Sequence, residues 1–156
     1  MNILLTISCV DVVTVHNLSS MVKAAKGLSQ RNHNVFLGCK KNLVLMKKAK
    51  QEGIKTIPLN IHSDFSPINI HKIKKFLLEN KIEVLICNLN KDVRVAGLAG
   101  RLAKIPLILA RHGIQLCGKK WRHKLSLLKL TDGIITNSQT IKNAYKNYGW
   151  FKDDFI

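Results

Sequence analysis

The sequence predicts an α/β domain: a Rossmann-like, doubly wound parallel sheet with helices on both faces. Three observations predict it. Short apolar runs of strand length alternate with amphipathic or basic segments of helix length along all 156 residues. The run NILLTIS opens the chain at residues 2–8, where the central strand of such a sheet commonly begins. Finally, residues 82–113, IEVLICNLNKDVRVAGLAGRLAKIPLILARHG, read as strand, helix, strand with polar residues at each strand's end.

After the first strand, residues 9–16 contain no glycine, which disfavours a dinucleotide fingerprint that brings the backbone close to a pyrophosphate. Asn17 or Ser19 is placed to cap a helix whose stripe is Leu18, Met21, Val22, Ala25 and Leu28, with Asn32 as its left-handed stop. Residues 34–39 form the second strand, 43–52 a short basic helix closed by Gly53, and 54–59 the third strand. A polar loop over 60–67 carries His62, Asp64 and Ser66; Ile70, Ile73, Phe76 and Leu77 then mark a helix. In the fourth strand, 82–87, Glu83 is the only charge, as suits a strand covered on both faces.

Asn90 is placed to cap the helix that follows, and Asp92 complements its positive end. Ala96, Ala99, Gly100 and Ala103 give that helix a small inner face. Pro106 ends it and 106–110 is the fifth strand. Residues 119–130 form a strongly basic helix, 133–136 the sixth strand, and 138–148 a helix capped by Ser138. Residues 150–156, WFKDDFI, carry aromatic side chains to the last position without a stop, which reads as a piece of a longer polypeptide.

Composition describes one folded domain: 46% hydrophobic and 22% charged residues. The charge is the outlier, 26 Lys and Arg against 9 Asp and Glu, or +17. Such an excess attracts anions, whether lipid surface, phosphorylated sugar, nucleotide or nucleic acid; equally, it can be lysine-rich coding on solvated faces. Cys9, Cys39, Cys87 and Cys117 show no CxxC pair or disulfide framework and the histidines no metal-like spacing, so no metal is expected. Neither a signal peptide nor a run of roughly 20 apolar residues is present, and a cytoplasmic location is expected.

GLSQRNHNV at 27–35, VAGLAGRLAKIPLILARHG at 95–113 and DGIITNSQTIKNAY at 132–145, in this order and spacing, resemble the N-terminal domain of family 4 glycosyltransferases. These are retaining enzymes of the GT-B type, built from two Rossmann-like domains. The resemblance implies that residues 1–156 form a single acceptor-side domain, and that the donor-binding C-terminal domain, with its two glutamates seven residues apart, is absent and supplied in cis or trans. It further implies a nucleotide-sugar donor as co-substrate with no other cofactor. The acceptor it implies is a saccharide or lipid of the cell envelope, with lipopolysaccharide among the possibilities.

His112 matches the position where many members carry a histidine facing donor phosphates and acceptor, which makes it the catalytic candidate. Its imidazole can donate a hydrogen bond or carry charge, and the neighbouring Arg111 suits phosphate or carboxylate. Asn137 and Ser138 match the residues that commonly follow the sixth strand, while the glycines usual in the first loop are missing. Where members often have histidine after the fourth strand, this chain has Asn88 and Asn90, which can hold sugar hydroxyls but cannot transfer a proton. His16 and Lys91 complete the substrate-binding candidates, and Arg94 is close enough to meet an acidic acceptor.

The basic helix places Trp121, Leu125 and Leu128 on one face among Lys119, Lys120, Arg122, Lys124 and Lys129. Either that stripe packs on the sheet, or the helix is interfacial and touches an anionic membrane at its inner face. Two alternatives to the enzyme reading stay open. One is a non-catalytic basic module binding anionic membrane or nucleic acid, although no nucleic-acid motif supports the latter. The other is a stranded half-protein without function.

Overall fold

The computed structural model describes residues 1–8, 15–41, 44–61, 63, 66–112 and 118–156; the side chains of 15–19 and 153 lie outside the description. Six strands, β1 (Asn2–Ile7), β2 (Asn34–Cys39), β3 (Lys55–Pro58), β4 (Val84–Cys87), β5 (Leu107–His112) and β6 (Gly133–Thr136), form one sheet. Their order is β3-β2-β1-β4-β5-β6 and every pairing is parallel. This is the doubly wound order. Its switch point lies between β1 and β4, where connections leave in opposite directions and a crevice opens beyond the strand ends.

The period-two alternation of the strands builds two cores. On one face Ile3, Leu5, Leu37 and Ile86 pack beneath α1 (Val15–Ser29) and α2 (Val44–Gln51) through Met21, Val22, Ala25, Leu45 and Ala49. On the other, Leu4, Leu85, Ile108 and Ile134 lie under α3 (Pro67–Glu79), α4 (residues 90–102), α5 (Trp121–Leu130) and α6 (Gln139–Lys146). The first face is less completely covered beyond the switch point, where Leu107 and Ile135 are exposed. Helices on both faces are thus as expected, and so are the left-handed Asn32, the positive φ of Gly53 and the Ser138 cap, whose hydroxyl accepts the Ile141 N–H at 3.3 Å.

Three expected caps differ. α1 already starts at Val15, so Asn17 and Ser19 lie inside it. Asn90 is the first helical residue, with Leu89 at the cap position; the Asp92 carboxylate accepts the Leu89 N–H at 3.1 Å and does the capping from within the first turn. Ser66, read as loop, caps α3 by accepting the Asn69 N–H, and Pro67 sits where its missing N–H costs nothing. The fifth strand also runs two residues further than expected, to His112, because β6 continues to pair with it through Arg111↔Ile135 and His112↔Thr136.

The middle of α4, Val93–Gly97, is wound as a π-turn between the α-helical pieces Asn90–Asp92 and Leu98–Leu102. A π-turn re-phases a helix, and here Val93, Val95, Ala96, Gly97, Ala99 and Gly100 are all buried. Small residues allow close approach on two sides. A Cβ at Gly97 would stand 3.3 Å from the Leu130 Cβ and carbonyl of α5, and one at Gly100 would stand 2.8 Å from Ile108 Cδ1 and 2.9 Å from Leu85 Cδ2.

Ile108 and Leu85 are fully buried and have little room to yield. Gly100→Ala therefore adds overpacking of about 1–3 kcal/mol against a gain in helix propensity of about 1 kcal/mol, and is expected to lower stability. Gly27→Ala in α1, with nothing within 4 Å of the added methyl, is expected to raise it by about 0.5–1 kcal/mol. Urea unfolding of the two variants checks the opposite signs.

Candidate functional site

The polar residues at the strand ends form two groups on opposite faces of the sheet. Arg111 and His112 are neighbours in β5, so their side chains leave in opposite directions. Arg111 points to the α1 face. Its Nη1 donates to Asn88 Oδ1 at 2.9 Å and its Nη2 to Ser20 Oγ at 3.1 Å, with Met21 Sδ 3.4 Å from Nη1. The guanidinium is half-buried and pairs with no carboxylate among the described residues. Burial lowers its pKa from the ordinary value. Among the described residues it is held at the switch-point crevice by neutral acceptors.

His112 points to the α5–α6 face and is 4% exposed. Its Nδ1 is hydrogen-bonded to the Tyr145 hydroxyl at 2.5 Å, and the two rings stack with centroids 5.7 Å apart. Nε2 is buried and has no hydrogen-bond partner among the described residues. Burial, and secondarily the charge of His123, push the imidazole down to about 4. Of the two forms open to it, the neutral one is therefore held at neutral pH, and the Tyr145 bond decides which nitrogen carries the single proton. With the tyrosine hydroxyl donating, Nε2 bears the N–H; with Nδ1–H donating, Nε2 is an acceptor.

Tyr145 is itself fully buried and heads an aromatic cluster. Tyr148 and Phe151 meet its ring edge-to-face at 5.6 and 5.8 Å, and Phe155 stacks on Phe151 at 5.1 Å. The segment 150–156 thus packs against α6 and β6, supporting the tyrosine from behind. This residue was not singled out in the sequence. The signal available was the i, i+4 pair Ile141 and Tyr145, which marks the inner face of α6.

Asp92 sits between the two groups. It is fully buried, and its Oδ2 accepts the N–H of Leu89 and, at 3.3 Å, the N–H of Ser8 at the end of β1. Oδ1 has no partner. Burial pushes the carboxyl up to about 6, opposed by those N–H groups and by the charge of Lys91.

Of the other candidates, Asn88 is buried and serves Arg111, while Asn90 and Lys91 lie partly exposed in the first turn of α4. Asn137 and Ser138 are exposed beyond β6, beside a shallow depression of about 440 Å³ shared with Gln139 and Lys142; the Ser138 hydroxyl is engaged as the cap. The side chain of His16 lies outside the described residues, as do Cys9 and Cys117. Cys39 and Cys87 are buried free thiols, with burial raising both pKa values, Cys39 to about 11, and so behave as small apolar side chains. Among the described residues no three His, Cys, Asp or Glu side chains gather as metal ligands do.

The stripe expected to pack α5 on the sheet does not. Leu127 is buried and Leu130 partly so, whereas Trp121 is 70% and Leu125 51% exposed, with Leu128 also turned outward. Trp121 carries Arg122 over its ring at 5.6 Å. A cleft of about 560 Å³ lies between this end of α5 and the π-turn of α4, bordered by Arg94, Lys120, Arg122 and His123. No helix among the described residues is long and apolar enough to cross a membrane.

Residues 11–154 match the family model Glycosyltransferase Family 4. The chain belongs to that family. Its fold is also that of solved structures of low identity. A glycosyltransferase from Rickettsia africae ESF-5 superposes with a TM-score of 0.73 at 18% identity, covering 99% of this chain and 41% of that one. Anabaena Alr3699/HepE, solved in complex with UDP and glucose, gives 0.71 at 15%, covering 99% and 42%. The lipopolysaccharide outer core galactosyltransferase WaaB gives 0.67 at 18%, covering 100% and 44%. The chain therefore spans less than half the length of each of these proteins. A comparison with curated protein sequences finds no match.

Two buried groups titrate in opposite senses. Asp92 folds with its pKa raised from 3.8 to about 6, so the folded state holds a proton that the unfolded chain releases, and this contribution to stability is lost as pH rises from about 4 to 6. His112 folds with its pKa lowered from 6.5 to about 4, so its contribution is gained as pH rises through about 4 to 6.5. Relative to the parent chain, Asp92→Asn should make the melting temperature climb more steeply between pH 4 and 6, and His112→Gln less steeply. Thermal melts across that range are the check; parallel curves for all three proteins would mean that neither group is perturbed.

Proposed function

We propose that the chain is the acceptor-binding half of a retaining glycosyltransferase that moves a sugar from a nucleotide sugar to a saccharide or lipid acceptor of the cell envelope. The observation that carries this reading is His112, a buried neutral imidazole at the carboxyl end of β5 whose Nε2 has no partner among the described residues. An unpaired buried nitrogen is costly unless something occupies it, and substrates of such sheets bind beyond these strand ends. HepE with UDP and glucose and the galactosyltransferase WaaB support a nucleotide-sugar donor and an envelope acceptor by analogy of fold.

In retaining transfer the departing diphosphate and the attacking hydroxyl share one face of the sugar. Charge therefore builds on the phosphate side, and preorganised donors and cations contribute more than a strong base. His112, with Tyr145 donating to Nδ1, would present Nε2–H to donor or acceptor oxygen. Arg111, steadied by Asn88 and Ser20, would meet negative charge in the crevice. The two do not reach one ligand atom from the same side, which assigns them different parts of the substrate pair. Asn90, Lys91, His16, Asn137 and Ser138 would position sugar hydroxyls around them. The reading calls on no resident metal or other cofactor, and on a donor-binding domain supplied in cis or trans.

A second reading has its own support. Exposed Trp121 and Leu125 on a helix with Lys119, Lys120, Arg122 and Lys124 suit peripheral contact with an anionic membrane, on the cytoplasmic side, better than they suit nucleic acid. The two readings are compatible, since an envelope lipid is reached at that surface.

The test is sugar transfer by the chain together with its donor-binding domain. His112→Ala should lower kcat on the order of a hundredfold or more. Tyr145→Phe, which keeps the ring stack and removes the hydroxyl, should lower it less and change the His112 ring ¹⁵N shifts in the isolated chain. Unaltered turnover in His112→Ala would remove the imidazole from the reaction.

A further inference from the structure

The cleft between the π-turn of α4 and the amino end of α5 has a lining that is unusual in sign. Arg94, Lys120, Arg122 and His123 border it, and no described lining side chain is acidic. Three of these four lie at the amino end of α5, where the helix dipole is positive and where acidic or capping side chains are the favoured occupants. Here Lys120 stands at the cap position without a side-chain bond to the helix, and no acidic residue occurs in the first turn. His123 donates its Nδ1–H to the Gly118 carbonyl at 2.9 Å, which fixes its ring beside the cleft. Cations gathered on a positive helix end repel one another and the dipole; an anion among them relieves both.

The cleft also has a place relative to the rest of the site. Lys119 lies over the Tyr148 ring at 5.8 Å, Tyr148 packs on Tyr145, and Tyr145 holds His112. It therefore opens on the same face of the sheet as the imidazole. Trp121 and Leu125, both more than half exposed, also line it, so cationic and apolar side chains share the cleft.

We propose that this cleft seats a phosphate group of a lipid-anchored acceptor, with Trp121 and Leu125 lying in the lipid beside it. This rests on the acceptor-side reading of the domain. A soluble sugar phosphate shares the anionic chemistry but gives the apolar side chains nothing to do, and that is why the lipid is the source favoured. Lys120 and Arg122 hold the phosphate, Arg94 closes the cleft from α4, and the head group's hydroxyls extend along the face that carries His112.

The experiment is sedimentation of the whole chain with vesicles of phosphatidylglycerol and phosphatidylcholine, and with phosphatidylcholine alone. Lys120→Gln with Arg122→Gln should weaken binding to the anionic vesicles by about fivefold per charge. Lys47→Gln with Lys50→Gln, which removes the same charge from the exposed side of α2, should change it little. Trp121→Ser with Leu125→Ser should abolish vesicle binding, and the blue shift of tryptophan fluorescence on vesicles should vanish in Trp121→Phe. Titration with glycerol 3-phosphate should give weak binding that is lost in the Lys120/Arg122 variant and kept in the Trp121/Leu125 variant.

Equal losses in the α2 control would attribute binding to the net charge and overturn the proposal. So would vesicle binding that ignores Trp121 and Leu125, which would leave a soluble phosphate as the ligand. Failure of the transferase reading looks different: the surface would bind as described, yet no sugar would be transferred by the chain with its donor-binding domain.

Discussion

The carboxylate of Asp92 ties together the three segments that meet at the switch point. From the first turn of α4 it takes the N–H of Leu89, which starts that helix, and the N–H of Ser8, which ends β1. It therefore fixes the distance between the two central strands at the end where ligands bind. That position is costly for a buried carboxyl with one oxygen unpartnered, as the rise of its pKa to about 6 records. Everything placed from the start of α4, namely Asn90, Lys91, Arg94 and the π-turn that follows, inherits its position from this one side chain.

The second organising constraint is the alternation of β5. Because successive strand residues face opposite ways, Arg111 and His112 divide the carboxyl end of the sheet into two compartments. One holds a guanidinium that meets no carboxylate among the described residues, over the α1 side. The other holds a neutral imidazole backed by a tyrosine and bordered by the cationic cleft. Under the proposed function, a charged leaving group and a hydroxyl-bearing acceptor would each use one of them, and the sheet itself keeps the two apart.

Much of this was legible in the sequence. The sheet, the helices on both faces and the small inner face of α4 follow from apolar runs and helical spacing, because period and composition report burial directly. The polar strand ends, Asn88, Arg111 and His112, were visible for the same reason. What escaped depends on tertiary contact. The pairing of β6 carried β5 on to His112. A carboxylate one turn inside α4 replaced Asn90 as its cap. Tyr145 became a partner of His112 only when α6 folded back across thirty-three residues. The outward stripe of α5 was one of two readings the sequence left open, because Leu127 and Leu130 make a second, competing stripe on the same ten residues.

The aromatic cluster behind Tyr145 links distant parts of the chain to a single proton. Phe155 leans on Phe151, Phe151 on Tyr145, and Tyr145 on the imidazole. The ring whose hydroxyl meets His112 Nδ1 is thereby packed by the last described stretch of backbone. An ionisable group that local sequence would leave free to exchange is instead governed by a hydrophobic stack with no charge of its own.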